Sequence, residues 1–328
     1  MSIDLFNENS EYVQSANTLF HFMNQLKYLL DALDKKALVP RYCDEDISYL
    51  GINIEGKSKN NISVLQKCFC DLPFHNLANS FHIHIAEDDL EKLTENEKEE
   101  ARKYNTHPAF YGKYAIAFSK PWGEQHNLQP IHYLNRLSKF SVDIHDFLEY
   151  AFSLEDLPDE IYENILSKLS FIKPLRGMMT RTLSTGTTVH FTKNFHDEKE
   201  WRYVPDSNEL HKRAIERVIV NRDVANKKNK INESLEDKEY QSLWLKFNYE
   251  DVKYLIVSNS WDRLDLINYI NNLPDEKFST SSINEQKDLL MNNPVSVSLL
   301  SGDRKPQIRF WGNHHSGSGN LYHKSFRM

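Results

Sequence analysis

Residues that could act together on a ligand stand at three aromatic-rich places in this chain. They are His21 between Phe20 and Phe22, the run His107-Pro-Ala-Phe-Tyr111-Gly112, and the run Glu198-Lys-Glu200-Trp-Arg-Tyr. A neutral imidazole can bond sugar hydroxyls or a carboxamide. Aromatic rings can floor a pocket for a planar ring. A fixed carboxylate can stabilise a positive charge that develops during a reaction.

Each of these places also has a purely structural interpretation. His21 could be a core histidine with a hydrogen-bond partner, and His107 to Gly112 could be an ordinary turn into a strand, where Gly112 permits close backbone approach or a bulge. Glu198 and Glu200 share one face if they lie in a strand, because side chains alternate, and could form a surface ladder. The local sequence leaves these alternatives open.

Metal binding is suggested by two pairs of residues, Cys68 with Cys70 and His82 with His84. Each pair would share one face of a strand. Zinc sites, however, usually combine two knuckles with two to four residues between the ligands, and one intervening residue is uncommon. We therefore expect no metal here, and none at His314-His315 in a Gly/Ser tail.

Several enzyme classes lack their motifs in this sequence. Neither a phosphate-binding P-loop nor a dinucleotide-binding G-x-G-x-x-G is present, and the nucleophile elbow G-x-S-x-G is also missing. A nuclease would gather acidic or histidine residues around a metal, and the sequence shows no such cluster.

The composition indicates a folded, soluble protein. The 328 residues include 40 Lys+Arg and 47 Asp+Glu, a net charge of −7, which excludes a generally basic nucleic-acid-binding coat. A hydrophobic content of 40% is too high for a disordered chain. Three cysteines, no secretory signal and no apolar run of about 20 residues predict a cytoplasmic protein without a membrane partner.

The pattern of elements predicts an α+β fold. Strands are expected at 18–23, 62–69, 114–118, 130–134, 187–204 (around a turn) and 252–257, helices at 26–33, 86–104, 142–170 (interrupted near Pro158) and 261–273, and a turn at 121–123. Strands and helices do not alternate regularly, which favours a mixed, mostly antiparallel sheet of short strands. We expect a lead-in at 1–17, one domain at 18–275 with helical insertions near 77–106 and 141–170, and an appendage at 276–328 with a flexible Gly/His/Ser tail.

Ordered motifs between about residues 18 and 270 resemble the family of putative abortive phage resistance proteins AbiGi. They are Leu38-Val-Pro-Arg-Tyr-Cys43, Cys68-Phe-Cys-Asp-Leu-Pro73, His107 to Gly112, Tyr114 to Trp122, Pro130-Ile-His-Tyr133, Lys173-Pro with Gly177, and Glu198 to Pro205. The resemblance implies a role in bacterial anti-phage defence, as an effector or toxin or as an antitoxin, with a cognate toxin, antitoxin or other defence component as its partner.

A more distant similarity links the opening strand, helix and Leu-Val-Pro return to ADP-ribosyltransferases of the poly(ADP-ribose) polymerase and DarT type. It implies an ADP-ribosyltransferase-like fold and cleavage of NAD⁺, with transfer to a protein or nucleic-acid acceptor or to water. His21, Tyr111 and His107 would bind NAD, and Glu200 with Glu198 would be catalytic. The alternative is a non-enzymatic antitoxin or partner-binding regulator.

The metal prediction is tested by elemental analysis of the purified protein. We expect no stoichiometric zinc in the wild type or in the Cys68→Ser/Cys70→Ser double variant, because the two thiols lack a second knuckle. One zinc per chain in the wild type that disappears in the double variant would contradict the prediction.

Overall fold

The computed structural model describes residues 16–54, 56–77, 83–154, 156–220, 227–278 and 283–296. The strands in these ranges are β1 (Leu19–Met23), β2 (Ala37–Leu38), β3 (Arg41–Asp46), β4 (Asn53–Ile54), β5 (Lys57–Ser58), β6 (Asn61–Asp71), β7 (Ile83–Ile85), β8 (Tyr114–Phe118), β9 (Gln129–Pro130), β10 (His132–Leu134), β11 (Ile172–Pro174), β12 (Arg176–Thr182), β13 (Thr188–Asn194), β14 (Glu200–Tyr203), β15 (Val218–Ile219), β16 (Leu245–Lys246), β17 (Val252–Val257) and β18 (Pro294–Ser296). The helices are α1 (Leu26–Lys35), α2 (Glu87–Leu90), α3 (Glu95–Arg102), α4 (His107–Tyr111), α5 (Lys120–Gln125), α6 (Lys139–Ser153), α7 (Asp159–Leu169), α8 (Ser207–Lys212), α9 (Lys228–Ser234), α10 (Ser260–Asn271) and α11 (Ile283–Asn292).

A large mixed sheet organises the chain, in the strand order β18-β17-β8-β1-β6-β14-β9. Its pairs are antiparallel except that β17 and β18 are parallel. The first half of the long strand β6 also pairs with β3 and β15. The predicted α+β class with a mostly antiparallel sheet is therefore confirmed. Because β18 is a strand of this sheet, the described part of the predicted appendage packs with the domain.

The register of three neighbouring strands decides which side chains share a face. Phe20 of β1 and Glu200 of β14 both lie opposite Cys70 of β6, so these three side chains project from the same face. The opposite face carries Leu19, Phe69 and Trp201, which pack in the main core with residues of α1 and α10. Glu200 is thus placed on the side of the sheet away from this core.

Two predicted turns are short helices in the structure. His107 to Tyr111 forms α4, which Thr106 caps by accepting a hydrogen bond from the Ala109 amide at 3.3 Å. The Pro-Trp-Gly run lies in α5, where the Ser119 side chain caps the Trp122 amide. In both cases a Ser or Thr cap precedes a proline in the first turn, a combination that starts a helix. The turn predicted at 121–123 was therefore wrong, and the turn considered for His107 to Gly112 is not found either.

Gly112 brings α4 against the first strand. Its φ is +132°, and a Cβ atom there would lie 2.1 Å from the Met23 carbonyl oxygen. Only glycine fits such a position, since both the backbone conformation and the contact exclude a side chain. The predicted close backbone approach is therefore confirmed.

Replacing this glycine tests the contact between α4 and β1. We expect Gly112→Ala to lower the free energy of unfolding by about 3 kcal/mol or more, because backbone strain and overpacking each cost about 1–3 kcal/mol. Urea unfolding measures the loss.

Gly56→Ala is the matched control for that variant. It also has a positive φ, of +69°, but nothing lies within 4 Å of the added Cβ. We expect a loss of only about 1–2 kcal/mol. Equal losses in the two variants would show that the close approach at Gly112 is unimportant.

Candidate functional site

A cavity of about 490 Å³, which we call the carboxylate cavity, lies beside the face of the sheet that carries Glu200. Its volume is within the range of small-molecule sites. The elements that contribute to it are far apart in the chain and include β1, β3, β6, α4, β11 and β14. The side chains that matter below are His21, Glu45, Tyr111, Lys173, Glu198 and Glu200.

Both carboxylate oxygens of Glu200 form hydrogen bonds with buried cations. Its Oε1 accepts a hydrogen bond from Arg202 Nε at 2.6 Å, and its Oε2 accepts one from Lys173 Nζ at 3.0 Å. Arg202 continues the network, donating to Glu45 Oε1 at 2.8 Å and to the Ser170 carbonyl at 2.7 Å. Neither oxygen of Glu200 lacks a cationic partner.

Both carboxylate oxygens of Glu198 also contact cations, although Glu198 does not lie in β14. It ends a 3₁₀ turn, Phe195–Glu198, and Lys199 at φ +44° leads into β14. The prediction that the two glutamates share one strand face was therefore wrong. They converge because Lys173 bonds both, with Glu198 Oε2 at 3.4 Å.

The other oxygen of Glu198, Oε1, accepts hydrogen bonds from the Tyr111 hydroxyl and from Lys193 Nζ. Lys193 also donates to the Tyr111 hydroxyl. Tyr111 therefore points its polar end at a carboxylate and an ammonium group, while its ring lines the cavity.

These contacts form one charge-balanced network. It contains three carboxylates (Glu45, Glu198 and Glu200) and three cations (Lys173, Lys193 and Arg202). Burial alone would raise the pKa of both Glu198 and Glu200, but the neighbouring cations outweigh it and hold each pKa below its usual value. At neutral pH both carboxylates are ionised and compensated.

His21 reaches the same cavity from the opening strand. The pairing of β1 with β6 ends at Phe20, and beyond it the His21 ring contacts β6 through Nδ1, 2.8 Å from the Cys68 carbonyl oxygen. A carbonyl only accepts, so Nδ1 carries the proton. Burial, reinforced by Lys67, lowers the pKa of His21 to about 3, so the imidazole is neutral.

The structure thus brings four of the five predicted site residues, His21, Tyr111, Glu198 and Glu200, to one cavity. His107 is not among the residues that line it. Its buried ring packs behind the cavity, with its centroid 6.3 Å from that of Phe22 and 6.1 Å from that of Tyr111.

Sequence reasoning missed the two lysines of the network. Lys173 was noted only as part of a motif that resembles the AbiGi family, with no role assigned to its side chain. Lys193 had a local signal that was not used, because it follows Val189 and Phe191 on the alternating buried side of β13. A charged residue in the buried phase of a strand calls for a buried partner, which here is Glu198.

Metal ligands are not clustered in the part of the chain that the structure describes, where no group of three or more His, Cys, Asp or Glu residues could hold an ion. Burial raises the pKa of Cys68 and Cys70, so both are protonated thiols. His82 lies outside the described residues. The absence of zinc stays a prediction.

A second feature is an exposed apolar surface on α6, which we call the α6 face. Phe140, Phe147 and Tyr150 are 64%, 56% and 67% exposed. A spacing of seven residues places Phe140 and Phe147 within about 20° of each other around the helix. Residues 139–169 contain eight acidic and two basic residues, a net charge of −6 (2 − 8). The α6 face is therefore an apolar surface in acidic surroundings.

No helix among the described residues has the length and apolar content needed to cross a membrane.

Comparisons with known proteins agree on one family. Residues 100–258 match the family model described as "Putative abortive phage resistance protein AbiGi, antitoxin". The abortive phage resistance protein AbiGi of Lactococcus lactis subsp. cremoris is 28% identical over 243 residues, covering 71% of this chain and 87% of that protein. No solved structure matches the chain, so the likeness to the ADP-ribosyltransferase fold stays a prediction. The chain is similar to the AbiGi family of abortive phage resistance proteins, and the resemblance expected from its motifs is confirmed.

Proposed function

We propose that this chain acts in abortive phage defence as an antitoxin that binds and neutralises a cognate toxin. The description of the matching family as an antitoxin supports this role. The observation that carries the proposal is the α6 face, because large apolar side chains that are exposed together on one helix are typical of protein–protein contact surfaces.

The charge around the α6 face indicates what kind of surface the partner would present. With a net charge of −6 on residues 139–169, the complementary surface would be apolar at its centre and rich in Lys and Arg at its rim. Complementary charge would speed association and reject acidic partners, while the aromatic side chains would supply most of the affinity.

The carboxylate cavity agrees with a non-enzymatic role. A carboxylate that stabilises a developing cation must direct its negative charge at the substrate. Both oxygens of Glu200 already face Arg202 and Lys173, and both oxygens of Glu198 face lysines. The network is neutral as a whole, which weakens its field at a ligand.

The second candidate function is an NAD⁺-consuming ADP-ribosyltransferase. It is favoured by one observation, that His21 and Glu200 line one cavity although 179 positions (200 − 21) separate them. The bond between ribose C1′ and the nicotinamide nitrogen would break, with its electrons leaving on nicotinamide. The acceptor or water would then bond C1′ and lose a proton. His21 would hold the cofactor, Tyr111 would stack on nicotinamide, and Glu200 would bind the ribose.

Polar substitutions on the α6 face test the antitoxin proposal. The proteins encoded beside this chain's gene are expressed singly, and the one that arrests growth is the candidate toxin. We expect co-expression of the wild-type chain to restore growth and the Phe140→Ser/Phe147→Ser variant to lose that rescue. Its thermal midpoint should stay unchanged, because both side chains are exposed.

Trp261→Ser is the matched control, since Trp261 is an apolar residue 78% exposed on the distant helix α10. It should rescue growth as well as the wild type does. Full rescue by the double α6 variant would contradict the assignment of the toxin-binding surface, and growth arrest by the wild-type chain expressed alone would contradict the antitoxin role.

A neutral substitution of Glu200 separates structure from catalysis. Glu200 is only 3% exposed. We expect Glu200→Gln to lose about 3–5 kcal/mol in the free energy of unfolding, because Arg202 and Lys173 lose a buried anionic partner. Urea unfolding measures it. Glu95→Gln, which alters an exposed ion pair with Lys98, should leave the unfolding midpoint unchanged.

The transferase candidate is tested on the wild type, so that the stability of the variant does not matter. Nicotinamide release from NAD⁺ is measured with and without protein, RNA and DNA acceptors and with phage-infected lysate. No release under any of these conditions would contradict the candidate. Release that persists in a folded Glu200→Gln variant but is lost in Glu198→Gln would assign the catalytic role to Glu198.

A further inference from the structure

A second cavity, of about 350 Å³, lies on the other side of β6 from the carboxylate cavity, and we call it the lysine cavity. Alternation along β6 explains the arrangement. Gln66, Cys68 and Cys70 line the carboxylate cavity, whereas Lys67 lines the lysine cavity. The other side chains used below are His21, Phe22, Tyr28, Asp31, Arg41, Tyr111 and Glu236.

Lys67 is half-buried and forms no ion pair with any residue that the structure describes. Within the described ranges, no carboxylate lies within ion-pair distance of its ammonium group and its side chain makes no hydrogen bond. A buried ammonium group without a partner is costly. Burial, reinforced by Arg41, lowers the pKa of Lys67 to about 8.

The carboxylates of the lysine cavity are already used by other cations. Asp31 pairs with Lys35 at 2.7 Å, and Glu236 pairs with both Lys35 and Arg41. Two carboxylates therefore stand against three cations, Lys35, Arg41 and Lys67. The surplus positive charge resides on Lys67, the cation with no partner.

The rest of the lining is aromatic. Phe22, Tyr28, His21 and Tyr111 all border the cavity, and His21 is neutral beside Lys67. Flat apolar rings next to an uncompensated cation suit a ligand with a planar ring at one end and an anion at the other. A guanidinium such as Arg41 can add further donors to a phosphate, since it has five N–H groups and uses only part of them on Glu236.

We propose that the lysine cavity binds a nucleoside phosphate, with Lys67 and Arg41 holding the phosphate and the aromatic side chains contacting the base. This goes beyond the antitoxin role, which places toxin binding on the α6 face. A ligand here would supply the negative charge that Lys67 lacks and would contact β1, α1, β3 and β6 at once.

The test is calorimetric titration of the full chain with ADP, AMP, adenosine and inorganic phosphate at constant ionic strength. We expect ADP and AMP to bind and adenosine to bind at least about tenfold more weakly, because a hydrogen bond to a charged group contributes about 10- to 100-fold in affinity. Lys67→Met should weaken ADP binding by a similar factor, whereas Lys67→Arg should stay within a few-fold of the wild type.

Lys113→Met is the matched control, since Lys113 is exposed and lines neither cavity. It should bind ADP as the wild type does. Lys67→Met should also melt no lower than the wild type without ligand, because it removes a cation that has no partner. Equal affinity of Lys67→Met and wild type, equal affinity of adenosine and ADP, or no binding of nucleotides at millimolar concentration would each overturn the proposal.

The pH dependence of wild-type binding gives an answer that does not depend on the folding of a variant. The charged and titratable groups around Lys67 are His21, Tyr28, Asp31, Lys35, Arg41, Cys43, Cys68, Tyr111 and Glu236. Burial lowers the pKa of His21 to about 3, so this ring stays neutral between pH 7 and 9, and it raises the pKa of Cys43 and Cys68 above the usual thiol value. We expect ADP affinity to fall as pH rises through about 8, as Lys67 loses its proton, and to stay flat in Lys67→Arg. A flat wild-type profile would overturn the proposal.

Discussion

The buried charge network around Glu200 is the constraint on which the rest of the structure depends. Removing six charged side chains from water is tolerable only if each finds opposite charge and hydrogen bonds at once. Arg202 satisfies this condition with two carboxylates and a backbone carbonyl. Because the partners come from β3, β11, β13 and β14, the network cannot form until these strands are in place. It therefore specifies one arrangement of the three sheets that it joins.

The same network explains why the carboxylate cavity has the appearance of an active site. Strongly shifted pKa values concentrate at functional sites, but structural ion-pair networks shift them as well. Here every shifted carboxylate has a cation at contact distance, and the three positive and three negative charges balance. The observed electrostatics are those of a stabilised interior, and this is the physical reason for preferring partner binding to catalysis.

Strand β6 divides the molecule into two different electrostatic environments. On one side, the buried charge network beside the carboxylate cavity is balanced. On the other, the lysine cavity keeps one uncompensated cation at Lys67. His21 borders both cavities just beyond the point where the pairing of β1 with β6 ends. A ligand beside Lys67 would thus contact the same histidine that lines the carboxylate cavity, which gives the two sides a physical connection.

The sequence by itself determined the elements whose signals are local. Alternation and apolar runs predicted β1, β6, β8 and β17 closely, and the helical segment predicted at 142–170, interrupted near Pro158, matches α6 and α7. Helix α4 was missed because its start depends on a Thr cap and a proline that also suit a turn. The motifs likewise identified the AbiGi resemblance without any structure.

Tertiary structure decided the chemistry of the site residues. The sequence identified Glu198, Glu200, His21 and Tyr111, and strand pairing brought them to one cavity. It could not show that Lys173 and Lys193 occupy the carboxylates, because those lysines come from strands outside the glutamate motif. Nor could it show that Lys67 has no ion-pair partner among the residues that the structure describes. The charge that a side chain presents to a ligand depends on every neighbour within a few ångströms, and those neighbours are set only when the chain has folded.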